Sequence, residues 1–228
     1  MTSDTLSGWT IVFDLDGTLV DTAPDLHLAL NHCLSEAGFE TVPFESIRHM
    51  IGQGAKAMIE KGLAFQGVAL EPAALEPLWQ SFLQYYEANI CERSAPFEDV
   101  TRSLGELEEM GAAIAVCTNK TQHLAETLIE ALGLTDRFAI ICGADSVPEK
   151  KPSGDHILYT VDRARGIAEK AVMIGDSQTD ERAARNAGLP FVYVTFGYGP
   201  SPDSWDDTAF RASSYSEVMS AIQSIAMA

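Results

Sequence analysis

A short apolar run that ends in two carboxylates sets the strongest constraint on how this chain folds. Residues 11–13 read Ile-Val-Phe, and Asp14 and Asp16 follow at once with one residue between them. A continuous apolar run of this kind is typical of a strand buried inside a parallel sheet. Because an unpaired buried charge is costly, the acids belong at the carboxyl end of that strand, where open α/β sheets bind ligands. Two acids there repel each other unless a cation joins them or one takes a proton, so the stretch predicts that Asp14 and Asp16 flank a divalent metal.

Apolar runs that alternate with helical patterns fill the second half of the chain. Residues 97–100 form a first sheet-like segment. Four later runs have the length and composition of buried strands, at residues 113–118, 138–142, 171–175 and 191–194. The segments between the runs carry helical spacing over about ten or more residues, which indicates βαβ crossovers. The pattern therefore predicts an α/β fold with a parallel sheet.

The first half of the chain has a different pattern, which is helical throughout. A helix is predicted from Thr22, a candidate N-cap, to Gly38, and helical spacing then continues without a strand-like run. We therefore expect a small all-helical cap domain at 21–91, inserted after the first strand. Residues 1–20 and 92–228 then form the core domain, a Rossmann-like doubly wound parallel sheet.

Charge and composition exclude several classes of partner. The chain carries 33 acidic and 15 basic side chains, and its formal net charge of −18 repels nucleic acid phosphates and anionic lipids. No apolar run approaches the roughly 20 residues that cross a bilayer, and the first residues lack the basic and apolar regions expected of a signal peptide. The four cysteines contain no Cys-x-x-Cys pair, which favours free thiols in a reducing compartment. We expect a cytoplasmic protein, either a monomer or a homodimer, whose partner is a small molecule.

Side chains suited to chemistry follow the predicted strands. Asp14 follows the first strand, Thr118 and Asn119 end the run that begins at residue 113, and Asp176 follows the run that begins at residue 171. The loop after residue 142 carries Lys151. Each of these features alone is common in helix caps and solvated loops. Together they predict one site, because all carboxyl ends of a parallel sheet lie on one edge.

These motifs resemble those of the haloacid dehalogenase superfamily. Four motifs carry the resemblance, in the family's order: Asp14-Leu15-Asp16-Gly17-Thr18-Leu19, Thr118-Asn119, Lys151-Pro152, and Gly175-Asp176-Ser177 with Asp180. A helical insert directly after the first motif is similar to the family's helical cap. Residues 20–26 and 51–55 resemble the phosphoglycolate phosphatase branch. The resemblance spans the chain from residue 11 to about residue 199.

The resemblance implies a catalytic role for each core motif. Asp14 is expected to be the nucleophile that forms an aspartyl-phosphate, and Asp16 the general acid and then the general base. Thr118, with Asn119 beside it, is expected to hold the phosphoryl oxygens. Lys151 is expected to offset charge on Asp14 and on the phosphoryl group.

The resemblance also implies a magnesium ion. Its protein ligands are expected to be Asp14, the backbone carbonyl of Asp16, and Asp176, since Mg²⁺ prefers oxygen ligands. Asp180 is expected to orient Lys151 or a metal-bound water rather than to touch the metal.

The acid at position 16 indicates phosphate ester chemistry, because the family's carbon–halogen and phosphonate hydrolases lack it. The branch resemblance implies 2-phosphoglycolate as the substrate, whose carboxylate needs a partner in the cap. Gly52 and Lys56 are predicted to bind substrate, and Arg48 and Gln53 lie in the same region. Arg48 and Lys56 are equally consistent with solvated charges on the surface of a helix.

Alternatives remain for the function and for one residue. The alternatives to a phosphoglycolate phosphatase are a phosphatase for another small phosphorylated metabolite and an isomerase of the β-phosphoglucomutase type. A non-catalytic phosphoryl-binding or partner protein on this fold is a third class. Lys150 is a second candidate for the catalytic ammonium, because the sequence after Lys151-Pro152 departs from the family's Lys-Pro-x-Pro.

Overall fold

A computed structural model describes residues 5–199 and 209–228 of the chain, and its centre is a six-stranded parallel sheet. The strands are β1 (Thr10–Phe13), β2 (Val20–Asp21), β3 (Ala95–Pro96), β4 (Ala113–Cys117), β5 (Ile140–Cys142), β6 (Ala171–Gly175), β7 (Phe191–Val194) and β8 (Ala209–Ala212). The order across the large sheet is β5-β4-β1-β6-β7-β8, and every neighbouring pair is parallel. The predicted α/β fold class is confirmed.

The helices lie on both faces of this sheet and in one long insertion. They are α1 (Ala23–Glu36), α2 (Phe44–Ile47), α3 (Ala55–Phe65), α4 (Pro72–Ala88), α5 (Val100–Glu109), α6 (Gln122–Ala131), α7 (Gly154–Arg163), α8 (Gln178–Ala187) and α9 (Tyr215–Ala226). Ile11 and Phe13 of β1 pack into one hydrophobic cluster that includes α5 and α9, whereas Val12 packs into a second with α7 and α8. This alternation is what a doubly wound sheet requires. None of the helices along the described residues combines the length and apolar content that a membrane crossing needs.

Strand β1 lies between β4 and β6, and its register sets the position of the acids. Phe13 pairs with Val116 on one side and with Ile174 on the other. All four residues of β1 are buried, and Asp14 follows directly at the carboxyl end of the strand. The carboxyl ends of the three central strands therefore meet at one edge.

Helices α1 to α4 form a continuous helical insertion, residues 23–88, between β2 and β3. These two short strands pair antiparallel and bring the ends of the insertion together. Buried Asp25 also joins the two ends, because its carboxylate accepts hydrogen bonds from the backbone N–H groups of Arg93 and Ser94 and from the Ser94 hydroxyl. The division into a cap at 21–91 and a core at 1–20 and 92–228 stays a prediction.

The structure differs from the sequence pattern in a few elements. The predicted sheet-like segment at 97–100 is a turn leading into α5, and the pairing strand lies earlier, at Ala95–Pro96. Thr22 precedes α1 but forms no side-chain capping hydrogen bond. Strand β8 and helix α9 follow the last strand that the sequence predicts.

Candidate active site

Asp14 is buried at the end of β1, and a tight turn follows it. Its backbone N–H continues the sheet by donating to the carbonyl of Ile174 (2.9 Å). The turn needs glycine at position 17, where φ is +89° and a Cβ atom would lie 2.3 Å from Oδ2 of Asp176. The same turn directs Asp16 into a cavity beside the strand end. A glycine thus lets the first motif approach Asp176, which follows β6.

Lys151 lies between two carboxylates beneath this strand end. Its Nζ is 2.7 Å from Oδ1 of Asp14 and 2.7 Å from Oδ1 of Asp180. All three side chains are buried. Burial opposes the charge on Lys151, but the two carboxylates raise the pKa of its ammonium. Lys151 is therefore a fixed positive charge that contacts Asp14 directly.

Asp180 is held in place by the first turn of α8. Its Oδ2 accepts hydrogen bonds from the Ser177 hydroxyl (2.6 Å) and backbone N–H (3.2 Å), and the Ser177 hydroxyl accepts from the backbone N–H of Asp180. This reciprocal arrangement is a capping box. One oxygen of Asp180 serves the helix, which leaves the other for Lys151.

The carboxylates of Asp14, Asp176 and Asp180 form an acid cluster in which one oxygen of each lies within 4.8 Å of the others. Burial raises the pKa of Asp14 to about 7, with Lys151 opposing and Asp180 adding to the shift. Burial and the other two acids likewise raise the pKa of Asp176, although the backbone N–H groups at positions 198 and 199 donate to it. Three buried acids with one buried ammonium leave an excess of negative charge. Their oxygen donors fit a hard divalent cation such as Mg²⁺.

Thr118 and Asn119 follow β4 at the same edge. The backbone N–H of Thr118 donates to the carbonyl of Cys142 (3.0 Å), which keeps the chain aligned with β5. The side-chain amide of Asn119 donates to the carbonyl of Lys151 (3.0 Å) and to that of Gly52 (3.3 Å). Its carbonyl oxygen is buried without a hydrogen-bond partner in the described part of the chain. Asn119 thus links the Lys151 loop to the helical insertion.

A cavity of about 250 Å³ lies between the strand ends and the helical insertion. Asp14, Asp16 and Thr118 line it from the strand ends, while Gly52 and Lys56 line it from the helical insertion. Other walls are mostly apolar and include Leu26, Ile51, Met58, Trp79, Phe82 and Leu124.

Two further lysines that the sequence singled out contact other partners: Lys56, a predicted substrate-binding residue, and Lys150, the second candidate for the catalytic ammonium. Lys56 Nζ is 3.0 Å from Oε2 of Glu76 and 3.9 Å from the centre of the Trp79 ring. Lys150 is exposed, and its ammonium donates to the carbonyl of Gln53 (3.1 Å). Lys150 therefore lines the cavity mouth without contacting Asp14.

Five of the predicted site residues come together at this edge: Asp14, Thr118, Asn119, Lys151 and Asp176. Gly52 and Lys56 instead line the cavity from the helical insertion. Asp16 lines the cavity as well, but its position differs from those of Asp14 and Asp176. Its carboxylate is not part of the acid cluster. Instead, Oδ1 of Asp16 lies 3.1 Å from Nζ of Lys120. The role of the Asp16 backbone carbonyl as a metal ligand stays a prediction.

Sequence reasoning missed two residues of the site. The first is Lys120, which directly follows the Thr118-Asn119 pair, so its position after a strand end is a usable signal.

The second is Tyr198, which donates its backbone N–H to Asp176 (2.6 Å). Its hydroxyl donates to the carboxylate of Asp21 and accepts from the backbone N–H of Ala23. Nothing in the sequence connects position 198 with position 176.

The chain is similar to known proteins over most of its length. The family model for haloacid dehalogenase-like hydrolases matches residues 11–194. A phosphoglycolate phosphatase from Caulobacter vibrioides is 46% identical over 197 residues, which are 86% of this chain and 83% of the relative. Another, from Agrobacterium fabrum, is 44% identical over 202 residues, or 89% and 86% of the two chains. The crystal structure of a predicted phosphoglycolate phosphatase from Haemophilus somnus has a TM-score of 0.85 at 27% identity and covers 94% of this chain and 97% of that one.

The fold, the motifs and these matches define the class of protein: the chain belongs to the haloacid dehalogenase-like hydrolase family and is an enzyme. Within that family, the relatives that cover most of its length are named phosphoglycolate phosphatase. The predicted resemblance to the family and to this branch is confirmed.

Proposed function

We propose that this chain is a magnesium-dependent phosphatase that hydrolyses 2-phosphoglycolate to glycolate and phosphate through an aspartyl-phosphate on Asp14. One observation supports the proposal above all others. Asp14 is a buried carboxylate that faces the cavity, with the Lys151 ammonium 2.7 Å from one of its oxygens. A carboxylate fixed in this way is suited to nucleophilic attack, because its position needs no rearrangement.

In the first step Asp14 attacks the phosphorus atom, and the bond from phosphorus to the ester oxygen breaks. Asp16 donates a proton to that oxygen, so glycolate leaves as the neutral alcohol at this position. The Thr118 hydroxyl and the backbone N–H of Asn119 bind phosphoryl oxygens from the β4 side, while the Asn119 side chain keeps its contacts with the carbonyls of Lys151 and Gly52. Lys151 offsets negative charge as it develops on the transferred group.

In the second step Asp16 removes a proton from a water molecule, which attacks the phosphorus of the aspartyl-phosphate. The bond between phosphorus and Asp14 then breaks, and the carboxylate is restored. Asp16 is again protonated and ready for the next turnover. Closure of the helical insertion would exclude bulk water during the first step.

The acid cluster supports the metal in this proposal. Asp14 and Asp176 would hold Mg²⁺ together with the carbonyl of Asp16, and Asp180 would continue to orient Lys151. When bound, the ion neutralises phosphoryl charge and orients the phosphate. Without a cation, the three acids repel one another in a buried site.

The names of the relatives support the choice of substrate, and the cavity is consistent with a small ester. Gly52 and Lys56 line the cavity from the helical insertion, the side on which the leaving group would lie. We retain both as proposed substrate-binding residues.

The proposal is tested by measuring phosphate release from 2-phosphoglycolate and from a panel of other small phosphate esters, with Mg²⁺ and with EDTA. We expect phosphoglycolate to give the highest kcat/KM and EDTA to abolish turnover. A higher kcat/KM for another ester would overturn the assignment of 2-phosphoglycolate as the substrate. A moved phosphoryl group without free phosphate would instead indicate a mutase.

A further inference from the structure

Lys120 is the most deeply buried cation that lines the cavity. It follows the Thr118-Asn119 pair, and its side chain is only 5% exposed. Its Nζ lies 3.1 Å from Oδ1 of Asp16, donates to the hydroxyl of Tyr86 (3.0 Å) and lies 4.6 Å from the centre of that ring. Burial opposes the charge on Lys120, but Asp16 and Tyr86 raise the pKa of its ammonium. It is therefore a charged donor beside the proposed acid–base residue.

The ammonium of Lys120 retains capacity for a further anion. A lysine has three N–H donors, and the described residues supply two partners, of which only one is charged. Oδ1 of Asp16 is buried, and the described residues give it no hydrogen bond of good geometry. The pair thus lines the cavity with one donor and one carboxylate oxygen still available.

The other cations near the cavity are less suited to bind an anion there. Lys56 is ion-paired with Glu76, and about half of its side chain is exposed. Lys150 is exposed and donates to a backbone carbonyl. Lys151 lies between Asp14 and Asp180, where two carboxylates already share its charge. Lys120 alone among these four is both buried and paired with a single carboxylate.

The spacing between Lys120 and Asp16 matches a substrate whose anionic group is close to its ester oxygen. In an O–CH₂–COO⁻ unit, ordinary bond lengths place a carboxylate oxygen about 3 Å from the ester oxygen. Nζ of Lys120 and Oδ1 of Asp16 are separated by a similar distance, 3.1 Å. The two pairs of atoms can therefore lie side by side, with the ester oxygen at hydrogen-bond distance from Asp16 and the substrate carboxylate oxygen about 3 Å from Lys120.

We propose that Lys120 binds the carboxylate of the substrate and selects esters that carry an acid next to the ester carbon. This inference rests on the proposed function, because it assigns the leaving-group side of the same site. Apolar side chains that line the same cavity, including Met58, Phe82 and Leu124, limit the water that would screen the ion pair. Tyr86 belongs to α4, so the helical insertion contributes directly to the position of Lys120.

The test compares 2-phosphoglycolate with its neutral amide, carbamoylmethyl phosphate, in the native enzyme and in Lys120→Met. We expect the native enzyme to have a higher kcat/KM for the acid than for the amide. In Lys120→Met this acid-to-amide ratio should fall about 100-fold, because truncating one partner of a buried charge pair has effects of this size. Lys120→Arg keeps the charge and should retain part of the preference. Lys170→Met, at an exposed lysine far along the chain, is the matched control and should leave the ratio unchanged.

Different outcomes separate this inference from the proposed function. Equal losses on the acid and on the amide in Lys120→Met would mean that Lys120 only positions Asp16, and would overturn the inference alone. The same holds if Lys56→Met removes the preference while Lys120→Met retains it. If Lys120→Met does not fold, Lys120→Gln decides, because it keeps an N–H donor but removes the charge, and an unchanged acid-to-amide ratio in that variant overturns the inference. A native enzyme that does not hydrolyse phosphoglycolate overturns the proposed substrate and the inference together.

Discussion

Lys150 and Lys151 are adjacent in the sequence but have opposite surroundings. The ammonium of Lys151 is buried between Asp14 and Asp180, whereas Lys150 is exposed and its ammonium donates to the backbone carbonyl of Gln53. The departure from the family pattern after Pro152 makes both lysines candidates for the catalytic cation. The contact with Asp14 favours Lys151.

We expect Lys151→Met to lower kcat by at least about 100-fold, the range seen when one group that stabilises transition-state charge is removed. The variant should also lose about 3 kcal/mol or more of unfolding free energy, because the buried acids lose their counter-charge. Lys150→Met is the matched control and should change kcat by less than about fivefold, since exposed contacts contribute at most about 1 kcal/mol. Steady-state kinetics and urea unfolding measure both effects, and a larger loss of kcat in Lys150→Met would contradict the assignment.

Residues at the ends of buried strands were predictable, since topology alone brings them to one edge. Asp14, Thr118 and Asp176 belong to this group. Lys120 was within reach of the same rule, but its contact with Asp16 depends on side-chain directions that spacing does not give. Tyr198 was out of reach, because its role depends on a loop whose path no local pattern determines.

At the scale of elements, the turn after β1 determines how closely two strand ends approach. Gly17 has a φ of +89°, and a side chain there would meet Asp176. Gly38, which follows α1, has a similar φ of +80°, but a Cβ atom at this position would have no neighbour within 4 Å among the described residues. Substitution of Gly38 therefore tests backbone strain alone, whereas substitution of Gly17 tests backbone strain together with crowding of Asp176.

We expect Gly38→Ala to cost about 1–2 kcal/mol of unfolding free energy, the cost of a left-handed backbone for a residue with a Cβ atom, and to leave kcat unchanged. Gly17→Ala should cost at least as much and should also lower kcat by more than about tenfold, because a displaced Asp176 misaligns the site. Thermal unfolding and phosphate release measure the two effects. Equal kcat values in both variants would show that the approach of Gly17 to Asp176 is unimportant for catalysis.

Buried strands were also the elements that the sequence predicted best. Continuous apolar runs identify β1, β4, β6 and β7, because both faces of these strands are covered by helices. Strand β8 is an edge strand with the sequence Ala-Phe-Arg-Ala, which is too short and too polar to be distinguished from a loop. Strand β3 contains a proline and gains its structure only from pairing with β2.

At the scale of the whole molecule, the acid cluster links stability to pH and to metal. Burial raises the pKa of Asp14 to about 7, so the folded chain binds this proton more tightly than the unfolded chain, in which the pKa is about 3.9. The contribution of Asp14 to the unfolding free energy is therefore fully present below about pH 4 and is lost as pH rises through about 7. A bound divalent cation replaces the proton, so its affinity should increase over the same range.

We expect Mg²⁺ to raise the Tm more at pH 8 than at pH 6, because at pH 6 the ion must displace a proton from Asp14. Differential scanning fluorimetry with Mg²⁺ and with EDTA measures the shift. Asp14→Asn should reduce both the shift and its dependence on pH, whereas Asp162→Asn, at an exposed acid on α7, should leave both unchanged. An equal shift at the two pH values would argue against Asp14 as a metal ligand.

The overall topology was predictable, but the cavity between the strand ends and the helical insertion was not. The alternation of strands and helices determines the sheet, whereas the cavity depends on how α3 and α4 pack over it. Lys56 illustrates the difference, since its sequence position predicts a substrate contact and the structure adds an ion pair with Glu76.

The most direct test of the proposed mechanism is to trap the aspartyl-phosphate intermediate on Asp14. The enzyme is mixed with Mg²⁺ and phosphoglycolate that carries a radiolabelled phosphoryl group, quenched in acid within milliseconds, and digested for peptide mapping. We predict that the label is attached to the peptide containing Asp14 and is absent from Asp14→Asn. Label on a different residue, or full release of phosphate by Asp14→Asn, would contradict the mechanism.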